Sequence, residues 1–230
     1  MKNLLKTHCL TKALAVGLLA LVSVAQAHAA PGSIFSATSA IINSGGPGFG
    51  SINDTFNQSG LSSGYTSGVT NFNTYLATNP LHTLAFAGRE WFGNNPSSSA
   101  SVTYDLGSQK SLDGLALWNE ESSGIGLLDL LFSTDGVSFS SLAIGLTPFD
   151  NPFADYPAEV FSFGAINAQF IRFDMSRCPQ QNPGTFNACA IGEVAFREAG
   201  DRNDVPEPAS LALLGAGLFG VLIATRRRRA

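Results

Sequence analysis

The sequence predicts an all-β protein built as a β-sandwich, and three observations carry that prediction. Residues 30–204 contain no long stretch with apolar residues at helical spacing. They are rich in Gly, Ser, Thr, Asn and Phe and poor in Lys. Seven to nine short segments, alternating or continuously apolar, are separated by turn chemistry, which is the pattern of a sandwich.

The chain opens with Lys2, Lys6 and Lys12, an apolar run from Ala13 to Ala25, and the small-x-small sites Ala25-Gln26-Ala27 and Ala27-His28-Ala29. A basic start, a short apolar run and a small-residue site together predict a secretory signal peptide over residues 1–29, handled by the Sec machinery and cleaved after Ala27 or Ala29. A single domain over residues 30–204 follows, large enough to bury its own core.

From Ser33 to Ala77 the chain is Gly/Ser/Asn-rich, with a turn run at Asn43-Ser44-Gly45-Gly46-Pro47. Phe49, Phe56, Tyr65, Phe72 and Tyr75 recur through it, so ordered loops are expected, with one or two strands including Ser33 to Ile42. Val102, Tyr104 and Leu106 alternate with Ser101, Thr103 and Asp105, predicting a half-buried strand that ends in a turn at Gly107-Ser108. Leu112 to Trp118 is almost wholly apolar and predicts a strand buried on both faces. Leu127 to Phe132 is a further strand, closed by the tight-turn sequence Ser133-Thr134-Asp135-Gly136. Separate strands are expected around Phe161 and Phe163, around Ile171, Phe173 and Met175, and around Val194 and Phe196.

Of three cysteines, Cys9 falls in the signal segment, leaving Cys178 and Cys189. An even pair in an oxidising compartment predicts a disulfide, and closing a loop of this size stabilises by about 3 kcal/mol. A zinc site would need more thiols or imidazoles than His82 can supply. All seventeen acidic residues lie between Asp54 and Glu207, against six basic ones, for a net charge of −11 over that segment. Such acidity argues against nucleic acid and anionic surfaces as partners.

Residues 205–230 read VPEPASLALLGAGLFGVLIATRRRRA: the element Val205-Pro206-Glu207-Pro208, sixteen uncharged residues from Ala209 to Ala224, then Arg226, Arg227, Arg228 and Arg229. A helix needs about 20 residues to cross a bilayer core, so this run with its flanks is long enough, and the arginines are expected to stay on the cytoplasmic side. These three parts in this order resemble the PEP-CTERM sorting signal of Gram-negative bacteria. The resemblance implies that an exosortase removes the helix, that the membrane is met only through this helix before processing, and that the product passes the inner membrane to the cell surface or exterior.

Taken in order, SVTYDLGSQKSLDGLALWNE, LLDLLFSTDGVSF, AQFIRFDM and IGEVAF resemble the discoidin branch of the galactose-binding-like sandwiches. Asp105-Leu106-Gly107, Ser133-Thr134-Asp135-Gly136 and Phe170 to Phe173 stand at that family's strand-ending, turn and strand motifs. The resemblance implies a jelly roll that binds carbohydrate or lipid headgroups through loops at one end, often beside a structural calcium, with Glu193 matching the final-strand glutamate of the calcium site. Asp54, Asn57 and Glu193 alone are fewer oxygens than the six to eight calcium takes. Otherwise no cofactor is expected.

Two rims are candidates for a ligand: Asn119 and Glu120 after Trp118, and Arg89 with Trp91 and Phe92. An aromatic face with amide and carboxylate groups suits a sugar, although both tryptophans also suit a core. Glu120 and Glu121 as a glycosidase pair are disfavoured, because adjacent residues on a strand face opposite ways. His82 lies outside any nucleophile-elbow pattern. The expectation is a non-catalytic surface or biofilm-matrix protein that binds an extracellular polysaccharide, with a purely structural matrix protein as the alternative and a small glycan hydrolase third.

Overall fold

The computed structural model describes residues 32–86, 88–181 and 186–200. The signal segment, the membrane helix and the sorting residues expected above lie outside them. Among the described residues no helix is long and apolar enough to cross a membrane.

Strands β1 (Ile34–Phe35), β2 (Ser39–Ser44) and β3 (Phe49–Gly50) precede a 3-10 turn over Ile52–Thr55 and a short helix α1 (Phe72–Leu76). Then come β4 (Leu81–His82), β5 (Trp91–Phe92), β6 (Ser99–Asn119), β7 (Leu127–Ser133), β8 (Ser140–Leu146), β9 (Tyr156–Pro157), β10 (Glu159–Ser176) and β11 (Ala190–Glu198). The strand expected over Ser33 to Ile42 is two strands, because the chain turns away at Ser36, whose amide donates to Ser67 Oγ.

Two long strands make the sandwich. β6 and β10 run antiparallel with breaks in register between Ser162 and Ile166 and between Ala168 and Phe170. On one side of these breaks, residues Ser99 to Asp105 of β6 pair with β2 and with Phe170–Ser176 of β10, which continues to β7 and β8. On the other side, Lys110 to Leu117 pair with Glu159–Ala168, and Leu112 to Asn119 with β11, whose far edge takes β5 and β1. One hydrogen-bonded sheet thus folds over on itself into two layers.

The turn expected at Gly107-Ser108 is instead a bend inside β6. Gly107 sits at φ +77, a conformation open to glycine at little cost, and its amide donates to Asp105 Oδ1 at 2.8 Å. Both flanks keep their partners, so the chain changes layer without leaving the sheet. The segments around Phe161 and Ile171 are for the same reason one strand, β10.

The core between the layers joins Val102, Tyr104, Leu115, Leu117, Ile171, Phe173, Val194 and Phe196, with Tyr104 edge-on to Phe173 at 5.2 Å. A second cluster covers the outer face of β6 and β11: Ala116, Trp118 and Ala195 under Ile34, Phe72, Tyr75 and Tyr156. That is why Leu112 to Trp118 reads as a continuous apolar run, and why the region before residue 77 needs its aromatics. The Ser133–Gly136 turn forms as its sequence predicts: Ser133 Oγ accepts from the Asp135 and Gly136 amides, and Asp135 Oδ1 from those of Val137 and Ser138. The amides of Ser138 and Val137 and the Ser133 hydroxyl hold the Asp135 carboxyl below its ordinary range. Cys178 and Cys189 are disulfide-bonded.

Candidate functional site

The antiparallel register brings the C-terminal end of β6 and the starts of β7, β10 and β11 to one end of the sandwich, together with β3 and β5. Loops from separate parts of the chain meet there. Gly48 and Gly50 take φ +73, and a Cβ on either would lie within 2.0 Å of the carbonyl oxygen of Phe92 or Glu90, so only glycine lets β3 come this close to β5.

That approach builds an aromatic basin of about 350 Å³, lined by Phe49, Phe86, Phe92, Phe186 and Ser122. The rings meet edge-on: Phe49 and Phe92 each lie 5.5 Å from Phe186, and Phe86 lies 5.1 Å from Phe92. Phe49 is 55% exposed and Phe86 45%, so apolar ring surface stands open to solvent where a core residue would not. Phe186 belongs to the loop that the Cys178–Cys189 bond closes, and its carbonyl accepts from Ser123 Oγ at 2.6 Å. That hydrogen bond ties the Phe186 wall of the basin to the loop after β6.

Arg89 is exposed, its Nη1 donating to the Ser59 carbonyl at 3.1 Å. Trp91 is buried, with Nε1 donating to the Pro47 carbonyl at 2.9 Å. Asn119 is 1% exposed and organises the loop beneath: its Nδ2 donates to the Phe149 carbonyl and to Gln180 Oε1, and its Oδ1 accepts from the Ile125 amide. Glu120 is likewise 1% exposed, its carboxylate accepting from the Ser122 amide and hydroxyl and from the Ser123 amide. These four are not brought together at an open rim, whereas Phe92, noted beside Trp91, is part of the basin.

Beneath the basin lies a sealed acidic group. Carboxylate oxygens of Glu90, Glu120 and Glu121, all buried, lie within 4.8 Å of one another. Tyr156 donates to Glu90 Oε1 at 2.7 Å, and buried His82 approaches the same oxygen with Nδ1 at 3.4 Å. Burial, the largest cause, pushes the carboxyls of Glu120 and Glu121 up to about 7 and about 9; the charge of Glu120 raises Glu121 further. The face-alternation argument fails for this pair because Asn119 is the last residue of β6, and Glu120 and Glu121 enter the loop that follows.

Glu193, in the middle of β11, is buried; its Oε2 accepts from the Gln58 amide at 3.0 Å, and its Oε1 has no partner. Burial raises its carboxyl well above the ordinary range. Asp54 and Asn57 are committed nearby, Asp54 accepting from the Ser51 amide and from Asn57 Nδ2.

Residues 204–229 match the family described as the PEP-CTERM protein-sorting motif. No curated protein matches the chain. Among solved structures, a CBM32 module (CpGH89CBM32-5) from Clostridium perfringens in complex with GalNAc-β-1,3-galactose is similar at 14% identity and a TM-score of 0.46, over 69% of this chain and 93% of that one. The CBM32 module of AlyQ in complex with 4,5-unsaturated mannuronic acid is similar at 17% and 0.42, over 71% and 96%. Chitosan-binding module 1 of a chitosanase/glucanase from Paenibacillus sp. IK-5 gives 14% and 0.45, over 74% and 98%.

Proposed function

We propose that this chain, which carries a PEP-CTERM protein-sorting motif at residues 204–229, is an exported, non-catalytic binding protein that takes an extracellular polysaccharide into its aromatic basin. The observation that carries the reading is the group of four phenylalanines gathered from separate parts of the chain at one end of a sandwich. Ring faces and edges held open to water suit the apolar C–H faces of sugar rings. Glu120 and Glu121, at 1% and 3% exposure, are out of a glycan's reach, which supports a binding role over hydrolysis.

A glycan array probed with the full chain, with calcium and with chelator, tests the reading. Saturable binding to a polysaccharide is expected, and Phe49→Ala and Phe186→Ala should each weaken it about tenfold or more, equal to about 1.4 kcal/mol. Binding that survives both substitutions would place the ligand elsewhere. No binding by demonstrably folded protein would leave the alternative, a structural matrix protein without a specific ligand.

Processing by an exosortase at Val205-Pro206-Glu207-Pro208 is part of the same proposal, the arginines Arg226 to Arg229 holding the tail at the inner face of a Gram-negative inner membrane. Glu207→Ala should leave full-length precursor in the membrane fraction, read by immunoblot; normal processing would sink this part. A structural calcium, if the chain holds one, would be held through Glu193, whose sealed and unpartnered Oε1 supports that assignment.

A further inference from the structure

Three carboxyl groups buried side by side need a counter-charge or protons. Leaving a buried charge uncompensated costs several kcal/mol even after relaxation, and mutual repulsion adds to that. Among the described residues the ion pairs of Arg172 and Arg197 are with Asp174 and Asp113, and none joins Lys or Arg to Glu90, Glu120 or Glu121. The groups facing these carboxyls are His82 and the Tyr156 hydroxyl at Glu90, the Ser122 and Ser123 donors at Glu120, and the Glu120 side chain and the residue's own amide at Glu121. His82 Nδ1 also lies 2.9 Å from the Thr83 carbonyl, which sets it up as a donor to that oxygen.

A second observation separates this group from an ordinary acidic patch. Glu90 Oε2 and Glu121 Oε2 are sealed from solvent and have no hydrogen-bond partner. Buried carboxylate oxygens are ordinarily satisfied, and two left bare in one cluster point to something that approaches both. The fixed part of the cluster is rigid: Ser122 and Ser123 hold Glu120, Tyr156 holds Glu90, and a Cβ on Gly192 would lie 2.2 Å from the Tyr156 hydroxyl, so that residue must stay small for the tyrosine to reach.

We propose that Glu90, Glu120 and Glu121 form a binding site for a hard divalent cation, distinct from Glu193. The donor set is carboxylate oxygen throughout, which suits calcium, magnesium or manganese over thiolate- and imidazole-seeking metals. The cation would tie the loop after β6 to the residue just before β5. Because Ser122 both lines the basin and bonds Glu120, it would also stiffen the basin floor.

Titration of the chelator-stripped full chain in mild detergent with calcium and with manganese tests this. Saturable binding is expected, with Tm raised by about 5 °C at saturation. The Glu90→Gln/Glu121→Gln double variant should bind at least about tenfold more weakly, and Glu193→Gln should keep this site. Should the double variant not fold, manganese added to wild-type protein should broaden the NMR resonances of Ser122, Ser123 and the His82 ring more than those of Asn57 and Gln58. No binding, loss of all binding in Glu193→Gln, or broadening confined to Asn57 and Gln58 would each overturn the proposal. The outcome is independent of glycan binding, so the two readings can fail separately.

Discussion

Replacing Trp118 by alanine should lower the free energy of unfolding by about 3 to 5 kcal/mol. The indole is fully buried among Ile34, Phe72, Tyr75 and Tyr156, and its Nε1 donates to the Pro80 carbonyl at 2.9 Å. Truncation therefore opens a cavity and orphans a buried carbonyl together. Trp118→Phe, which keeps most of the volume, should cost about 1 to 2 kcal/mol. Urea unfolding of the full chain measures both. A sugar-platform tryptophan would behave in the opposite way, losing ligand and keeping stability, so the same variants decide between the core and rim roles that the sequence leaves open.

In the presence of chelator, raising the pH from 5 to 8 should destabilise the folded domain. The buried carboxyls of Glu120, Glu121 and Glu193 have higher affinity for protons in the native state than in the unfolded chain, where their ordinary value is 4.5. Between those values the native state binds more protons, so the contribution of these groups is greatest below about 4.5 and is lost as the pH climbs through the native values. Moving Glu120 from 4.5 to about 7 corresponds to roughly 3 kcal/mol, and Glu121 carries the decline to higher pH. Urea midpoints at pH 5, 6, 7 and 8 should fall steadily, and Glu120→Gln/Glu121→Gln should flatten the curve. A midpoint that rises with pH would mean these groups are not protonated in the native protein.

Much of the sandwich was legible because strand alternation and turn chemistry are local. β7, the Ser133–Gly136 turn, the double-sided burial of Leu112 to Trp118 and the Cys178–Cys189 pair all follow from short stretches. What was not legible depends on pairing across the chain. Gly107-Ser108 carries a turn's residues, yet β10 pairs with β6 on both sides of it, at Asp105 and at Lys110, so the chain bends there without leaving the sheet. β8, Ser-Ser-Leu-Ala-Ile-Gly-Leu, is exposed along much of its length and alternates too weakly to stand out. The basin's aromatics come from two short strands, β3 and β5, and from the segments holding Phe86 and Phe186, and no local pattern in the sequence shows that these four rings meet. The acidic group is not legible locally, because Glu120 and Glu121 follow a strand that ends at Asn119 and Glu90 reaches them from a distant part of the chain.

β11 begins beside the basin, where Ala190 pairs with Phe92, and ends at Glu198, from which the chain runs on toward the sorting motif. Nine extended residues separate the two, about 30 Å of strand. If the protein is held at its tail while a polymer is held in the basin, tension enters and leaves at opposite ends of one strand. Its register with β6, Ile191 to Glu198 against Asn119 to Leu112, would then be loaded in shear, with many hydrogen bonds strained in parallel instead of opened one by one.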